Sequence, residues 1–347
     1  MRIIVTGATG YIGSHSVAAL CRAGHEVRLL VRSRRRLERA LEMQGLEVGD
    51  VEVFEGDITD ADAVKRSFDG CDAALHVAAV FSLDPNRAAE MARVNPDSTD
   101  LVLRTGRDLG LDPLVYVSTA GVFIPPPTST VAGNGPVSTG CGPYTRSKIA
   151  AEHVARRHAG EGAPVVTIYP GAVVGPRDPN EGLSDSMVLT RDIIKGRVPV
   201  LPRPCPLPVV DVRDVAELTA AVMTPGRGER HYLLTGQLVD VRDVVADVNR
   251  LTGRNIPTWP APRALFRASG RLFDWLALRT GRPMPLAVES VNMMLESADR
   301  PDVSFDQGPA TTDFGLPRTS LEDTLRDAVK WLYQAGQITK AQAGKLA

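Results

Sequence analysis

The sequence has little with which to build a metal centre or a redox pair. Its four cysteines stand at positions 21, 71, 141 and 205, so no CxxC or CxxH spacing occurs, and they read as scattered residues of a reducing compartment. The histidines at 15, 25, 76, 153, 158 and 231 show no paired ligand spacing with a carboxylate, and no metal is expected. An excess of one charge is missing too. Forty Lys and Arg face 41 Asp and Glu, leaving a net charge of -1, which argues against capture of nucleic acid or an anionic membrane by a broad field. No apolar run approaches the roughly 20 residues that span a bilayer, and Met1-Arg2-Ile3-Ile4-Val5 meets Thr6-Gly7 too soon for a signal-peptide core. The expectation is a cytoplasmic protein with no nucleic-acid partner and no stable membrane insertion.

What is present is the make-up of an ordinary folded chain. Of 347 residues, 43% are hydrophobic, with 31 Gly and 26 Pro, enough for a sizeable core and many turns. The length suits one large domain or two sharing a core. Short β-branched runs at 2–6, 26–31, 51–54, 73–77, 114–118 and 164–169 alternate with helical stretches near 11–23, 34–44, 60–69, 87–109 and 144–159, the signature of βαβ units on a parallel sheet. Several runs are continuously apolar, as strands covered on both faces are. The predicted fold class is α/β: a doubly wound parallel sheet of Rossmann type with a smaller, interleaved C-terminal α/β lobe. Residues 1–170, joined by 210–236, would form the dinucleotide-binding part, 171–209 and 237–330 the substrate lobe, and 331–347 a tail.

Beyond residue 170 the pattern is less regular. Helices are expected near 183–195, 212–223 and 240–252, a strand at 231–235, and an irregular Pro-rich stretch at 199–208. The segment 124–143, rich in Pro, Ser, Thr and Gly, reads as a long surface loop, either a lid or slack. Residues 262–295 are helical again, with Leu265, Phe266, Leu272, Phe273, Trp275, Leu276 and Leu278 supplying apolar surface for core packing, a substrate lid or an interfacial contact.

The first informative motif is Thr6-Gly7-Ala8-Thr9-Gly10-Tyr11-Ile12-Gly13, directly after the first strand and opening the first helix. Glycines at 7, 10 and 13 allow a sharp turn, a close approach of backbone N–H groups to a pyrophosphate, and tight packing of helix on sheet. The helix N-terminus then offers free donors and the positive dipole end. An NAD site would place a carboxylate at the end of the second strand. This chain has Val31-Arg32-Ser33-Arg34-Arg35-Arg36 there, and guanidinium pairs bidentately with a 2′-phosphate. NADP(H) is therefore expected in preference to NAD, held by Arg32 first and by Ser33 or Arg34 next. Asp57, followed by Ile58 after the third strand, would accept from the adenine amino group, or cap the helix near 60.

Tyr144-Thr145-Arg146-Ser147-Lys148 is a YxxxK motif at a helix start, following Ser118-Thr119 at a strand end. Together with TGATGYIG, GDITD, VNPDST and YPGAVVGPRD, it is similar to the extended short-chain dehydrogenase/reductase family, also described as NAD-dependent epimerases and dehydratases. The likeness covers most of 1–236 and, more loosely, LPRTSLEDTLRDAVKWL. It implies a proton donor in Tyr144, a lysine in Lys148 that holds both that hydroxyl and the nicotinamide ribose, and a carbonyl-orienting hydroxyl in Thr119, with Ser118 second. Residues four apart on a helix share a face, which suits the Tyr144–Lys148 pair. Lowering a phenol from about 10 by three pH units takes roughly 4 kcal/mol, which a nearby ammonium can supply in a water-poor site. Asn95 matches the family asparagine that fixes a water or carbonyl near the lysine. The resemblance also implies cofactor contacts from Val77, Ala78, Ala79, Val117, Tyr169, Pro170, Gly171 and Val173.

The fold hosts several reactions. Dehydratases of the family place carboxylates just after the catalytic Ser/Thr, where this chain has Thr119-Ala120-Gly121-Val122. Sugar-nucleotide enzymes carry an Asn and an Arg for the diphosphate, where this chain reads GAVVGP and CPLPVVDV, although Arg177 and Arg203 lie nearby. VRLLVRS, VSTAGV and IYPGAVVGPRD resemble the dihydroflavonol reductase and 3β-hydroxysteroid dehydrogenase branch, which implies a hydrophobic small-molecule substrate. The leading expectation is an NADP(H)-dependent reductase of a ketone or aldehyde, or dehydrogenase of the alcohol. The alternatives are a sugar-nucleotide epimerase retaining NAD and a non-catalytic NADP-binding regulator. By the same resemblance, helices 87–109 and 144–159 would pair into a homodimer.

Overall fold

Ile3, Ile4 and Val5 are wholly buried, because the strand they form lies in a sheet covered on both faces. The structure, a computed structural model, describes residues 1–82, 84–280, 288–300 and 302–347. Its first half alternates β1 (Arg2–Thr6), α1 (Tyr11–Arg22), β2 (Glu26–Val31), α2 (Arg34–Met43), β3 (Glu52–Glu55), α3 (Ala61–Phe68), β4 (Ala73–His76), α4 (Ala88–Asp108) and β5 (Leu114–Val117). After the short β6 (Thr130–Val131) come α5 (Pro143–Gly160), β7 (Val165–Pro170), β8 (Ala172–Val174), α6 (Asp185–Ile194), β9 (Val200–Pro202), β10 (Pro206–Asp211), α7 (Val212–Ala221), β11 (Arg230–Leu234), β12 (Gln237–Asp240) and α8 (Val241–Thr252). The chain ends with β13 (Trp259–Ala261), α9 (Arg263–Thr280), α10 (Val288–Ala298), β14 (Ser304–Phe305), α11 (Gly308–Thr312), α12 (Leu321–Gln334) and α13 (Lys340–Ala343).

Seven parallel strands form the main sheet in the order β3-β2-β1-β4-β5-β7-β11. The predicted doubly wound α/β fold is present. Alternate residues serve opposite faces: Ile3, Val5, Leu75, Val115 and Val117 join one apolar cluster, whereas Ile4, Ala74, Leu114 and Tyr116 join another with Val102, Ala151 and Ala155 of α4 and α5. The strand order reverses between β1 and β4, so a crevice opens beyond their C-terminal ends. Thr6 ties the two ends together, its hydroxyl 2.8 Å from His76 Nδ1 and its carbonyl accepting from Val77 N–H at 3.1 Å.

Three readings are corrected. The Pro-rich stretch is not irregular but contains β9 and β10. Pro206 and Pro208 fit a strand because that part of β10 pairs only with β12, and the parallel pairing with β8 begins at Val209, so no ladder N–H is missing on the second side. The segment 124–143 is strapped down rather than slack: β6 pairs with β14, and Arg156 donates to the carbonyls of Gly133 and Gly135 at 2.9 and 2.7 Å. The expected tail is anchored, with Leu332, Ile338 and Ala343 buried in the main cluster.

In 262–295, α9 and α10 pack through Phe266, Val291 and Leu295, while Leu265, Leu272, Trp275 and Leu278 of α9 are exposed. The part at 281–287 lies outside the described residues. Among the described residues, no helix is long and apolar enough to cross a membrane.

The glycine-rich turn is the tightest joint. Gly7 has φ +82°, and a Cβ there would lie 2.6 Å from Ala78 N, while one on Gly13 would lie 2.1 Å from Gly7 O. Gly13→Ala must therefore push α1 off β1. A loss of about 1–3 kcal/mol is expected in denaturant unfolding, and unchanged stability would mean that the turn can open freely.

Candidate active site

The turn that Gly7 and Gly13 tighten leaves Gly10 loose. A Cβ on Gly10 would meet only Gly7 O, at 3.4 Å, within 4 Å, so this flank of the crevice is free of protein. Helix α1 has no side-chain cap and no acidic residue in its first turn, and its first internal bond runs from Ser14 N–H to Gly10 O at 2.9 Å. The N–H groups of Tyr11, Ile12 and Gly13 are thus the donors of an uncapped N-terminus. This cradle fits a dinucleotide pyrophosphate, with Thr9 and Gly10 at its lip. The side chain of Tyr11 is buried against His15 at a ring-centroid distance of 5.5 Å, which leaves its backbone for any ligand.

At the end of β2, Arg32 is exposed and has no ion pair among the described residues. Ser33 caps α2 by accepting from Arg36 N–H at 3.4 Å, and Arg34 pairs with Glu38 at 3.5 Å. Asp57 does not cap α3. Its Oδ1 accepts from the backbone and hydroxyl of Thr59 at 2.8 and 2.7 Å, bonds that hold its carboxyl below the usual range, with Arg32 adding to the effect. Asp60 is the cap, because it directly precedes the first helical residue. Ile58 packs beneath, on the α4/α5 side core. Val77 and Ala78 are half-buried and Ala79 exposed beyond β4, facing the glycine turn through the contact of Gly7 with Ala78.

Across the crevice, Thr119 and Tyr144 meet. Thr119 Oγ1 accepts from Gly121 N–H at 3.1 Å, starting a short 3-10 turn. Burial and the charge of Glu289 push the Tyr144 hydroxyl well above the usual phenol range, and the hydroxyl of Thr119 pulls it back. Lys148 is buried. Its ammonium donates to Val117 O at 3.2 Å and lies 4.6 Å from the centroid of the Tyr116 ring, so in this structure it is spent on β5 and does not draw Tyr144 down as expected. Burial lowers Lys148 to about 8, against the charge of Glu152.

Asn95 acts as a clamp. Its Oδ1 accepts from Val80 N–H at 2.7 Å, and its Nδ2 donates to Val80 O and Ser147 Oγ, each at 2.9 Å. It therefore ties the loop after β4 to α5 and does not contact Lys148 itself. Ser118 Oγ is buried without a partner, on the face opposite Thr119. Pro170, Gly171 and Val173 sit where β7 passes into β8, and a Cβ on Gly171 would lie 2.4 Å from Pro208 O. The hydroxyl of Tyr169 is committed to Glu152 and His231 at 2.6 and 2.8 Å, which leaves only its backbone to the crevice.

The sequence model of the NAD dependent epimerase/dehydratase family matches residues 3–234. The chain belongs to that family. A dihydroflavonol 4-reductase-like protein of Synechocystis sp. is 27% identical over 96% of this chain and 95% of its own length. The sterol demethylase protein B of Methylococcus capsulatus is 29% identical over 97% of this chain and 100% of its own. The solved UDP-glucose-4-epimerase of Stenotrophomonas maltophila, with bound NAD and formylated UDP-arabinopyranose, shares the fold with a TM-score of 0.75 and 22% identity, covering 97% of this chain and 99% of that one.

In this epimerase/dehydratase-family member, two neighbours of Tyr144 escaped sequence reasoning. Phe81 stands over Tyr144 with ring centroids 4.3 Å apart while remaining 41% exposed, and no periodic pattern marks it. Glu289 of α10 is buried, and it accepts from Tyr144 N–H at 2.9 Å, Thr145 N–H at 2.7 Å and Thr145 Oγ1 at 2.8 Å. Gly142 allows this approach, since a Cβ there would lie 2.5 Å from Glu289 Cδ. The available signal was a lack: Gly142-Pro143 opens α5 with no capping side chain. Asp185 also bears on Tyr144, and burial beside Asp178 raises it to about 6.

Glu289→Gln is expected to cost about 1.5–3 kcal/mol of stability. The negative charge of Glu289 raises Tyr144, so its removal should let tyrosinate form at lower pH. The Tyr144 absorbance change, taken by difference from Tyr144→Phe, should move to lower pH in the Gln variant. An unmoved titration would limit Glu289 to holding the helix.

Proposed function

We propose that the protein is an NADP(H)-dependent oxidoreductase that reduces a ketone or aldehyde, or oxidises the corresponding alcohol, of a hydrophobic small molecule. The observation that carries this reading is the apolar cover on the Thr119–Tyr144 pair: Phe81 stands over Tyr144, and Met293 Cε lies 3.5 Å from where a Cβ on Gly121 would stand. Relatives named for dihydroflavonol and sterol chemistry agree with it. When bound along the Gly10 cradle, the nicotinamide cofactor supplies or accepts the hydride. Thr119 would orient the carbonyl oxygen by donating to it, and Tyr144 would hand its proton to the same oxygen. Its raised affinity for the proton keeps it loaded at neutral pH until the bound cofactor and the ammonium of Lys148 come into play. A homodimer through α4 and α5 belongs to the same reading, by family resemblance, as does a cytoplasmic location.

The preference for NADP(H) rests on Arg32, an exposed cation directly after β2 that has no ion pair among the described residues. Arg32→Asp is expected to raise the KM for NADPH about 10–100-fold, as loss of a charged hydrogen bond does, with far less effect on NADH. Equal effects would make Arg32 a surface cation. Tyr144→Phe should lower kcat about 100-fold or more in NADPH absorbance assays over a panel of ketones and aldehydes. A sugar-nucleotide epimerase is the rival reading. It predicts protein purified with retained NAD, epimerisation of UDP-sugars, and no net consumption of NADPH with any carbonyl.

A further inference from the structure

Behind the catalytic helix runs a line of polar groups for which the proposed reaction has so far no use. Glu152, wholly buried, lies one helical turn beyond Lys148, so the two share a face of α5. Glu152 Oε1 accepts from the Tyr169 hydroxyl at 2.6 Å and also from Arg156 Nε at 2.8 Å, so it is ion-paired as well as hydrogen-bonded; that hydroxyl is 2.8 Å from His231 Nδ1, and His231 Nε2 is 2.8 Å from Glu229 Oε1. The line begins at a carboxylate with no exposure and ends at one that is 45% exposed. It therefore connects the back of the active site with solvent.

The three contacts constrain the protons. Each needs one hydrogen between its two heavy atoms, so three protons serve four groups. With Glu229 as a carboxylate and Tyr169 as a neutral phenol, they fit in two ways. In one, His231 carries both ring protons, Nε2–H donating to Glu229 and Nδ1–H to Tyr169, whose own hydroxyl donates to a Glu152 carboxylate. In the other, His231 keeps only Nε2–H, Tyr169 donates to Nδ1, and Glu152 is the acid donating to Tyr169. A concerted shift of two protons converts one arrangement into the other and carries one positive charge from His231 to Glu152, with no heavy atom moving. Tyr169 need not ionise, which suits a phenol whose burial and proximity to Glu152 hold it well above its usual range.

The inner end points to the same use. Among the described residues, Glu152 Oε2, Tyr116 Oη and Thr167 Oγ1 are buried without a close hydrogen-bond partner, although Ser118 and Thr99 lie near enough to the Tyr116 hydroxyl to ease its ionisation. Tyr116 and Thr167 are register neighbours on β5 and β7, and the Lys148 ammonium stands over the Tyr116 ring. These oxygens lie on the face of the sheet that Lys148 and Glu152 cover, and are of the kind that hold an internal water.

We propose that Glu152, Tyr169, His231 and Glu229 form a proton relay between Lys148 and solvent. This rests on the reductase reading. In each reduction, the carbonyl carbon would gain the hydride that a bound nicotinamide cofactor supplies, and its oxygen would gain the Tyr144 proton. The tyrosinate takes a proton from the Lys148 ammonium, the amine takes one from Glu152 by way of water, and Glu152 is refilled through Tyr169 and His231 from solvent. Per turnover one hydride and one proton are consumed, and the relay returns to its starting state. In oxidation the same line runs outward.

The first turnover uses the proton already on Tyr144, whereas later ones need resupply. In stopped-flow reduction with NADPH and a carbonyl that the wild type accepts, Tyr169→Phe and His231→Ala should keep the first-turnover rate. Their steady-state rate should fall about tenfold, a part of the usual general acid–base contribution, with a larger solvent deuterium isotope effect. Added imidazole should restore His231→Ala. If both phases fall together without imidazole rescue, the network is only structural, and if neither changes, the protons take another route. Either result overturns the relay and leaves the reductase reading intact.

A wild type that turns over no carbonyl would defeat the reductase reading instead. The relay then still faces a test by nitrogen NMR of the free protein, where Glu152, Tyr169, Arg156 and Glu229 are the groups bearing on His231. The Nδ1 signal of His231 should lie between its protonated and unprotonated positions and move to one limit in Tyr169→Phe. A signal already fixed at one limit in the wild type would overturn the proposal.

Discussion

The first turn of a helix presents backbone N–H groups that have no acceptor within the helix, and two such turns, facing one crevice, organise this protein. Neither α1 nor α5 carries a side-chain cap at its N-cap position. At α1 no side chain among the described residues caps the donors, which is what an anion needs. At α5 the donors are taken by Glu289, 145 residues further along the chain from Tyr144. The same physical requirement leaves one helix start open to a cofactor and closes the other with a carboxylate of the C-terminal part. The position of Tyr144 thus depends on α10, and α10 also brings Met293 beside Gly121, two residues after Thr119.

Below these turns, the layer between the sheet and the α4/α5 pair is unusually polar. Alternation along β4, β5 and β7 sends His76, Tyr116, Ser118, Thr167 and Tyr169 to the same face, against Asn95, Thr99, Lys148 and Glu152, all of them buried. Burial weakens the hold of Lys148 on its proton, and Glu152 strengthens it. The balance leaves the lysine at about 8, below the usual ammonium range. A core built only for stability would fill this layer with apolar side chains, as the opposite face of the same sheet does.

The C-terminal part obeys the same rules with weaker local signals. Strand β10 tolerates two prolines because its partner on one side begins only at Val209, a fact of register that a composition count cannot supply. The exposed Leu265, Leu272, Trp275 and Leu278 of α9 share a helix with the buried Phe266 and Gly270, so an apolar sequence was no guide to which residues are covered.

By itself the sequence determined the βαβ alternation, the parallel sheet, the glycine turn and the Thr119–Tyr144–Lys148 set, because these rest on short-range spacing: glycines three apart, four residues per helical turn, continuous apolar strands. It also placed Arg32 at the tip of β2. Tertiary structure alone decided what those residues touch. It turned Asn95 towards Val80 and Ser147, tied Lys148 to β5, and brought Phe81 and Glu289 to Tyr144. These contacts join residues far apart in sequence, and hydrogen-bond geometry over such separations leaves no period or motif in the chain for a reader to find.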